Sequence, residues 1–157
     1  MQHIVYIGLG SNIGDRRAHL RRALEMLDET PGIAVRRISR FVDTEPVGPP
    51  QARYLNAAAR MDADASPEDL LRRLQEVEAA LGRDRSGEVR WGPRTCDLDI
   101  LLMDDLVMDT PELTIPHPRM HERSFVLRPL AEIAGRAVHP VLGKTVEELL
   151  ADLEGRP

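Results

Sequence analysis

Apolar residues recur along this chain with two different spacings, and the two spacings predict two kinds of secondary structure. Segments 15–30 and 66–82 repeat apolar residues every three or four positions, which is the period of one helix face. The repeated residues are Leu20, Ala23, Leu24 and Leu27 in the first segment and Leu70, Leu74, Val77 and Leu81 in the second. Other segments hold short apolar or alternating runs, which are typical of strands. These predicted strands are 4–8, 33–42, 54–62 and 97–103. The alternation of the second strand is irregular enough to allow a bulge.

Helix start and stop signals flank the two periodic segments. Asp15 and Ser66 are N-cap residues before them, and Gly32 and Gly82 follow them. A capping box at 145–148 predicts a final helix that ends near residue 153. A helical pattern at 122–127 is predicted to end before Pro129, because proline lacks the backbone N–H that a helix interior needs.

The order of these elements is β-α-β-β-α-β, followed by helical residues. This order predicts an α+β, ferredoxin-like fold, in which an antiparallel sheet carries helices on one face, plus a C-terminal helical extension. Residues 43–53 hold three prolines and are predicted to form a loop. No repeat, low-complexity stretch or linker divides the chain, so residues 1–157 are predicted to form a single domain.

Composition narrows the class of protein. The net charge of −5 argues against broad nucleic-acid binding, which favours a basic domain. Cys96 is the only cysteine, so no intramolecular disulfide can form. The sequence shows neither a secretory signal nor an apolar run of membrane-spanning length. We therefore expect a cytoplasmic protein without membrane contact, and a monomer.

Two glycine patterns imitate nucleotide-binding motifs. Gly8, Gly10 and Gly14 approach a dinucleotide fingerprint, but the third glycine is one residue late, and turn geometry is the simpler explanation. Gly143-Lys144-Thr145 imitates the end of a P-loop, but Val138 stands where the first glycine belongs. Neither pattern predicts a nucleotide site.

Two aspartates on an apolar strand are the main candidates for chemistry. Asp97 and Asp99 share one strand face, with Cα atoms roughly 6.5 Å apart, while Leu98, Ile100 and Leu102 are predicted to face the core. Two ionised carboxylates so placed need cations. Magnesium takes a few carboxylates together with water and substrate phosphate oxygens. If the two aspartates are considered without their neighbours in the sequence, the alternatives are a solvated sheet face or salt bridges to arginines.

An arginine-rich segment precedes the two aspartates. Residues 83–95 hold arginines at 83, 85, 90 and 94, two glycines and Trp91. Arginines beside metal-binding carboxylates suit a polyphosphate. A tryptophan there suggests a loop that closes over a ligand. A merely solvated loop is the alternative.

Two further groups of residues suit the other parts of a substrate. Tyr54 and Asn56 share a strand face, and Phe125 is a distant candidate partner for a sandwich around a flat heterocycle. His117, held between two prolines, and Arg123 could donate to phosphate oxygens. For the first group, the alternative is a pair of aromatic core residues and an asparagine that bonds to the backbone. For His117 and Arg123, the alternative is a surface or helix-capping role.

Residues 90–99, Arg-Trp-Gly-Pro-Arg-Thr-Cys-Asp-Leu-Asp, resemble the signature of the 6-hydroxymethyl-7,8-dihydropterin pyrophosphokinase family. Segments 10–12, 54–58 and 113–117 are also similar to that family, and the order is unchanged from about residue 4 to 150. The resemblance implies transfer of the β,γ-diphosphate of ATP to a reduced hydroxymethylpterin in folate biosynthesis. It also implies two Mg²⁺ ions and in-line attack that releases AMP.

The resemblance also implies roles for individual residues. Those near the chemistry are Arg83, Arg94, Asp97 and Asp99, with both aspartates as metal ligands. Those at ATP are Gln75, Glu78, Arg83, Arg85, Trp91, Arg94, Thr114, His117 and Arg123. Those at the pterin are Asn12, Thr44, Pro46, Val47, Tyr54, Asn56, Trp91, Asp97 and Phe125.

Two positions depart from the family pattern, and two other functions stay open. Pro118 replaces a tyrosine of some members, and Glu112 replaces a basic residue near the nucleotide, so contacts at these positions are not implied. A nucleotidyltransferase would use Asp97 and Asp99 but release pyrophosphate. A ferredoxin-like RNA-binding module would stack bases on aromatic side chains, but the acidic balance and the absence of an RNP-like motif argue against it.

Overall fold

The computed structural model describes residues 2–44, 53–82 and 96–155. Within these residues the main sheet contains β1 (His3–Ser11), β2 (Ile33–Ile38), β3 (Val42–Thr44), β4 (Tyr54–Ala63) and β5 (Asp97–Met103). Two short strands, β6 (Met108–Asp109) and β7 (Thr114–Ile115), form a separate pair. The helices are α1 (Arg16–Asp28), α2 (Pro67–Ala80), α3 (Ser124–Ala134) and α4 (Val146–Glu154), and a 3-10 turn covers Met120–Glu122.

The sheet has the order β2-β4-β1-β5, and β3 pairs with the start of β4. Every pairing within it is antiparallel. The predicted α+β class is therefore confirmed, and the β-α-β-β-α-β order holds except that β2 and β3 replace the single predicted second strand. β1 lies in the centre, and β5, which carries the two aspartates, lies at one edge.

The first core lies between the sheet and the pair α1 and α2. Alternate residues of β1, namely Val5, Ile7 and Leu9, point into it and are buried. The helices contribute the residues predicted from their spacing: Leu20, Ala23, Leu24 and Leu27 from α1, and Leu70, Leu74 and Val77 from α2. Burying one such large apolar side chain contributes about 1.5–3 kcal/mol, so this layer supplies much of the stability of the fold.

Helix caps follow the sequence signals. The Ala18 N–H donates to the Asp15 carboxylate (3.1 Å), and the Asp69 N–H donates to Ser66 Oγ (3.1 Å). Thr145 forms the predicted capping box at α4.

No helix in the described parts of the chain is long and apolar enough to cross a membrane.

The second core lies on the opposite face of the sheet, where the C-terminal extension packs. Leu127 and Leu130 of α3 and Val146 of α4 pack against Ala58 and Leu101 of the sheet. The sheet is therefore covered on both faces, and α3 brings its N-terminal residues over the ends of β1, β4 and β5.

The prediction that helical structure ends before Pro129 is wrong. α3 continues to Ala134 with Pro129 inside it. Pro129 cannot donate to the carbonyl four residues earlier, so the helix loses one hydrogen bond. The burial of Leu127, Leu130 and Ile133 on the same helix offsets this loss.

The side-chain alternation of β5 is broken at its middle. The β1–β5 register shifts between Tyr6 and Ile7, as at a bulge. Leu98 and Ile100 face the first core as predicted, but Leu102 joins the second core, so that part of the prediction is wrong. The bulge lets consecutive residues of β5 pack toward the C-terminal helices.

The predicted second strand is divided in two. A register shift between Val35 and Arg37 in β2 confirms the bulge, and the strand stops at Ile38. β3 begins at Val42, so Asp43 and Thr44 are strand residues rather than loop residues as predicted. Of the predicted loop, residues 45–52 lie outside the described part of the chain.

Candidate active site

A cavity of about 360 Å³ lies between the sheet and the start of α3. Strands β1, β3, β4 and β5 form its floor, and residues 117–126 form its opposite wall. Eight predicted site residues line it: Thr44, Tyr54, Asn56, Asp97, Asp99, His117, Arg123 and Phe125. The fold thus brings together candidates that are far apart in the sequence.

Asp97 and Asp99 form the acidic wall of the cavity. Both are half-buried, and their partners across the β1–β5 pairing are Gly10 and Gly8. Because glycine has no side chain, these partners leave space beside the two carboxylates. Gly8 and Gly10 lie within β1, so the explanation of these two glycines by turn geometry is wrong. Gly14 lies in the bend between β1 and α1 with φ +66°, a conformation that favours glycine.

The donor set at this wall suits Mg²⁺ only when substrate completes it. No three His, Cys, Asp or Glu side chains of the described residues form a group that could hold a metal ion. Two carboxylates with room for water and phosphate oxygens match the preference of Mg²⁺, which seldom occupies all-protein cages. Asp97 and Asp99 thus fit a metal that arrives with a polyphosphate.

Tyr54, Asn56 and Phe125 lie at another part of the cavity. Asn56 is 7% exposed, and its Nδ2 donates to Thr44 Oγ1 on the neighbouring strand. A Cβ atom at Gly10 would lie 2.9 Å from Asn56 Oδ1 and 3.4 Å from the Tyr54 ring. The absence of a side chain at Gly10 therefore permits this arrangement of amide and ring.

His117, Arg119 and Arg123 form a basic wall. The Arg119 N–H donates to His117 Nδ1 (3.1 Å), which leaves the proton of the neutral ring on Nε2. Burial lowers the pKa of His117 to about 4; Arg123 and Arg119 lower it as well, and Asp97 opposes them. At neutral pH this imidazole is therefore uncharged and can donate one hydrogen bond through Nε2. The Arg123 guanidinium lies 5.7 Å from the centre of the Phe125 ring.

Other predicted residues do not line this cavity or lie outside the described residues. Asn12 is buried, Gln75 is exposed on α2, and Thr114 Oγ1 donates to Asp109 (3.2 Å). Glu78 is buried beneath β5. Outside the described residues lie Pro46, Val47, Arg83, Arg85, Trp91 and Arg94.

Sequence reasoning missed Arg119 and both strand glycines. Arg119 lies within the motif around His117, yet its spacing alone assigns it no role. The sequence does contain a signal for Gly8 and Gly10. They occupy alternate positions, so on a strand they share a face that carries no side chain at these two positions.

We predict that the wild-type protein loses more stability than a His117→Asn variant as the pH falls from 7 to 4. The pKa of His117 is lowered in the folded protein, so between pH 6.5 and 4 the unfolded chain binds a proton that the folded chain does not. At 1.36 kcal/mol per pKa unit, the wild type loses at most about 3 kcal/mol more free energy of unfolding than the variant near pH 4. Urea unfolding of both proteins across this range measures it. His139, whose pKa is also lowered, is common to both and cancels. Parallel stability curves would contradict the prediction.

Comparisons with known proteins agree with this geometry. Residues 6–135 match the family model described as 7,8-dihydro-6-hydroxymethylpterin-pyrophosphokinase (HPPK). A 2-amino-4-hydroxy-6-hydroxymethyldihydropteridine pyrophosphokinase of Bacillus subtilis is 50% identical over 134 residues, covering 85% of this chain and 79% of the relative. The protein with this description from Methylorubrum extorquens is 47% identical over 150 residues, covering 95% and 92%.

A solved structure shows the same fold at low sequence identity. The crystal structure of the triple mutant S436F/A437G/A613S of Plasmodium falciparum HPPK-DHPS superposes with a TM-score of 0.76 at 14% identity. The alignment covers 97% of this chain but 44% of that longer chain. The family-model match and the identities to curated relatives show that this chain belongs to the 7,8-dihydro-6-hydroxymethylpterin-pyrophosphokinase family.

Proposed function

We propose that this protein transfers the β,γ-diphosphate of ATP to the hydroxymethyl group of 6-hydroxymethyl-7,8-dihydropterin. The products are AMP and the pterin diphosphate, in a step of folate biosynthesis. The observation that carries the proposal is that one cavity joins two carboxylates, an aromatic pair with an amide, and a basic wall. These three parts match metal-bound polyphosphate, a flat heterocycle and anionic oxygens.

The pterin half of the proposal rests on Tyr54, Phe125 and Asn56. Two aromatic rings facing one cavity can hold a flat ring between them, which favours a heterocycle over a flexible sugar or chain. Asn56 offers a donor and an acceptor, as the edge of a pterin requires. Thr44, already paired with Asn56, would fix the orientation of that amide.

The phosphate half rests on the acidic and basic walls. Asp97 and Asp99 would hold two Mg²⁺ ions, which when bound would neutralise phosphate charge and clamp the attacking and leaving oxygens. His117 Nε2–H, Arg119 and Arg123 would donate to phosphate oxygens from the opposite side. The triphosphate would then lie between walls of opposite charge.

In the proposed reaction the hydroxymethyl oxygen attacks the β-phosphorus in line with the bond to the α-phosphate oxygen. The new bond joins oxygen to β-phosphorus, the bond to the α-phosphate oxygen breaks, and AMP leaves with that oxygen. The hydroxyl proton passes to water. The residues of the cavity contribute by positioning the two substrates and by stabilising the charge of the transferring group.

Finer features of the function are also proposals. Arg83, Arg85, Trp91 and Arg94 would approach the triphosphate from the segment between α2 and β5. Gln75, Glu78 and Thr114 would lie on the ATP side, and Asn12, Pro46 and Val47 on the pterin side. A single domain is supported because both hydrophobic cores pack on one sheet. A monomer is supported because one chain supplies every described wall of the cavity. A cytoplasmic location is supported by the single, buried cysteine.

Identification of the products tests the proposed function. The protein is incubated with ATP, Mg²⁺ and the reduced hydroxymethylpterin, and the products are separated by anion-exchange chromatography. We expect AMP and pterin diphosphate in equal amounts, and no AMP when the pterin is omitted. Release of pyrophosphate with an adenylylated pterin would instead identify the nucleotidyltransferase alternative.

A further inference from the structure

Glu78 is a buried carboxylate to which the proposed reaction assigns no chemical step. It lies on the core-facing side of α2 with Leu70, Leu74 and Val77, and is 1% exposed. A carboxylate is expensive to bury unless hydrogen bonds compensate it. An apolar residue would suit this face better, so the position of Glu78 calls for a specific partner.

The partner is the strand that carries the two aspartates. The Leu98 N–H donates to Glu78 Oε2 at 2.8 Å. Leu98 is the residue between Asp97 and Asp99, and its side chain is buried in the first core. The contact therefore fixes the backbone at the midpoint between the two carboxylates.

The position of β5 in the sheet explains why such an anchor is needed. Among the described residues β5 is an edge strand, so no neighbouring strand in that part of the chain pairs with its outward N–H groups. Asp97 is its first residue, and the ends of elements open more easily than their centres. The negative charges of Asp97 and Asp99 also repel each other. A backbone anchor between them opposes both effects.

Resting on the proposed function, we propose that Glu78 is a positioning residue that holds Asp97 and Asp99 in the geometry that binds the metal ions. Through the Leu98 N–H it ties the last turns of α2 to the first residues of β5. In this role it acts on the metal ligands through the backbone.

Three variants separate this role from general stability. Glu78→Met keeps the volume and the helix but removes the acceptor oxygen. Glu78→Gln keeps a side-chain carbonyl that can accept from Leu98. Val77→Ala, a buried change on the same helix face, is the matched control for lost packing. Mn²⁺ binding to each protein with a non-hydrolysable ATP analogue is measured by electron paramagnetic resonance, and exchange of the Leu98 amide by NMR.

We expect Glu78→Met to weaken Mn²⁺ binding roughly 10–100-fold, as typical for residues that orient metal ligands, with faster Leu98 exchange and unchanged pterin affinity. Glu78→Gln should stay close to wild type, and Val77→Ala should melt earlier yet bind Mn²⁺ normally. Wild-type Mn²⁺ affinity in Glu78→Met, an equal loss in Glu78→Gln, or an equal loss in Val77→Ala would each overturn the proposal. Because these readouts need no turnover, they are separate from a failure of the proposed function, which would appear as missing AMP in the wild-type protein.

Discussion

Asp97→Ala and Asp99→Ala are each expected to slow turnover about 10³-fold or more, because each removes a ligand of the metals that stabilise the transferring diphosphate. Metal stabilisation of a transferring phosphoryl group contributes several kcal/mol, and every 1.36 kcal/mol is a factor of ten in rate. Steady-state turnover at saturating Mg²⁺ and both substrates measures the effect. Asp105→Ala, in the exposed turn after β5, is the matched control and should retain turnover.

The fold should survive both substitutions. Asp97 and Asp99 are half-buried carboxylates on one cavity wall, and removing either one relieves repulsion in the metal-free protein. We therefore expect melting temperatures close to that of the wild type. Near wild-type turnover in either variant would refute the two-carboxylate metal site, whereas lost turnover together with unfolding would be a stability effect.

Tyr54→Ala and Phe125→Ala are each expected to weaken pterin binding by about 1–3 kcal/mol, by analogy with nucleic-acid bases stacked on aromatic side chains. This corresponds to roughly 5–150-fold in affinity. The affinity for ATP should change less, because the triphosphate is proposed to lie between the acidic and basic walls. Calorimetric titration of pterin in the presence of a non-hydrolysable ATP analogue, and of the analogue alone, measures the two affinities.

Phe41→Ala supplies the control for loss of an aromatic ring. The Arg17 guanidinium lies 5.0 Å from the centre of the Phe41 ring, and Phe41 lines a different groove. Removal of this ring should therefore leave pterin affinity unchanged. Equal losses of pterin and ATP affinity in the Tyr54 and Phe125 variants would contradict the proposed stacking of the pterin between these two rings.

The regular part of the fold was predictable because local signals agree with each other. α1 and α2 begin after Asp15 and Ser66, and their buried faces follow the apolar period. The errors occur where tertiary packing overrides a local rule. Burial of α3 outweighs the lost hydrogen bond of Pro129, and the bulge in β5 turns Leu102 to the second core.

The site was predictable in part for a similar reason. Asp97 and Asp99 are read directly from strand alternation. Phe125 could be named only as a distant candidate partner of Tyr54, because whether the two residues meet depends on where α3 packs. The helix period selected Leu81 for the core face of α2, but Leu81 is half-buried and Glu78 is fully buried. No apolar pattern predicts a buried carboxylate, because its partner, the Leu98 N–H, belongs to another element.

A crystal structure with the reduced pterin, a non-hydrolysable ATP analogue and Mn²⁺, with data collected for anomalous scattering, tests the proposed metal and pterin sites together. We expect anomalous peaks within about 2.0–2.3 Å of the Asp97 and Asp99 carboxylate oxygens, close to the distances of hard divalent cations. We also expect the pterin ring between Tyr54 and Phe125. Metal peaks away from both aspartates, or a pterin bound outside the cavity, would contradict the proposed sites.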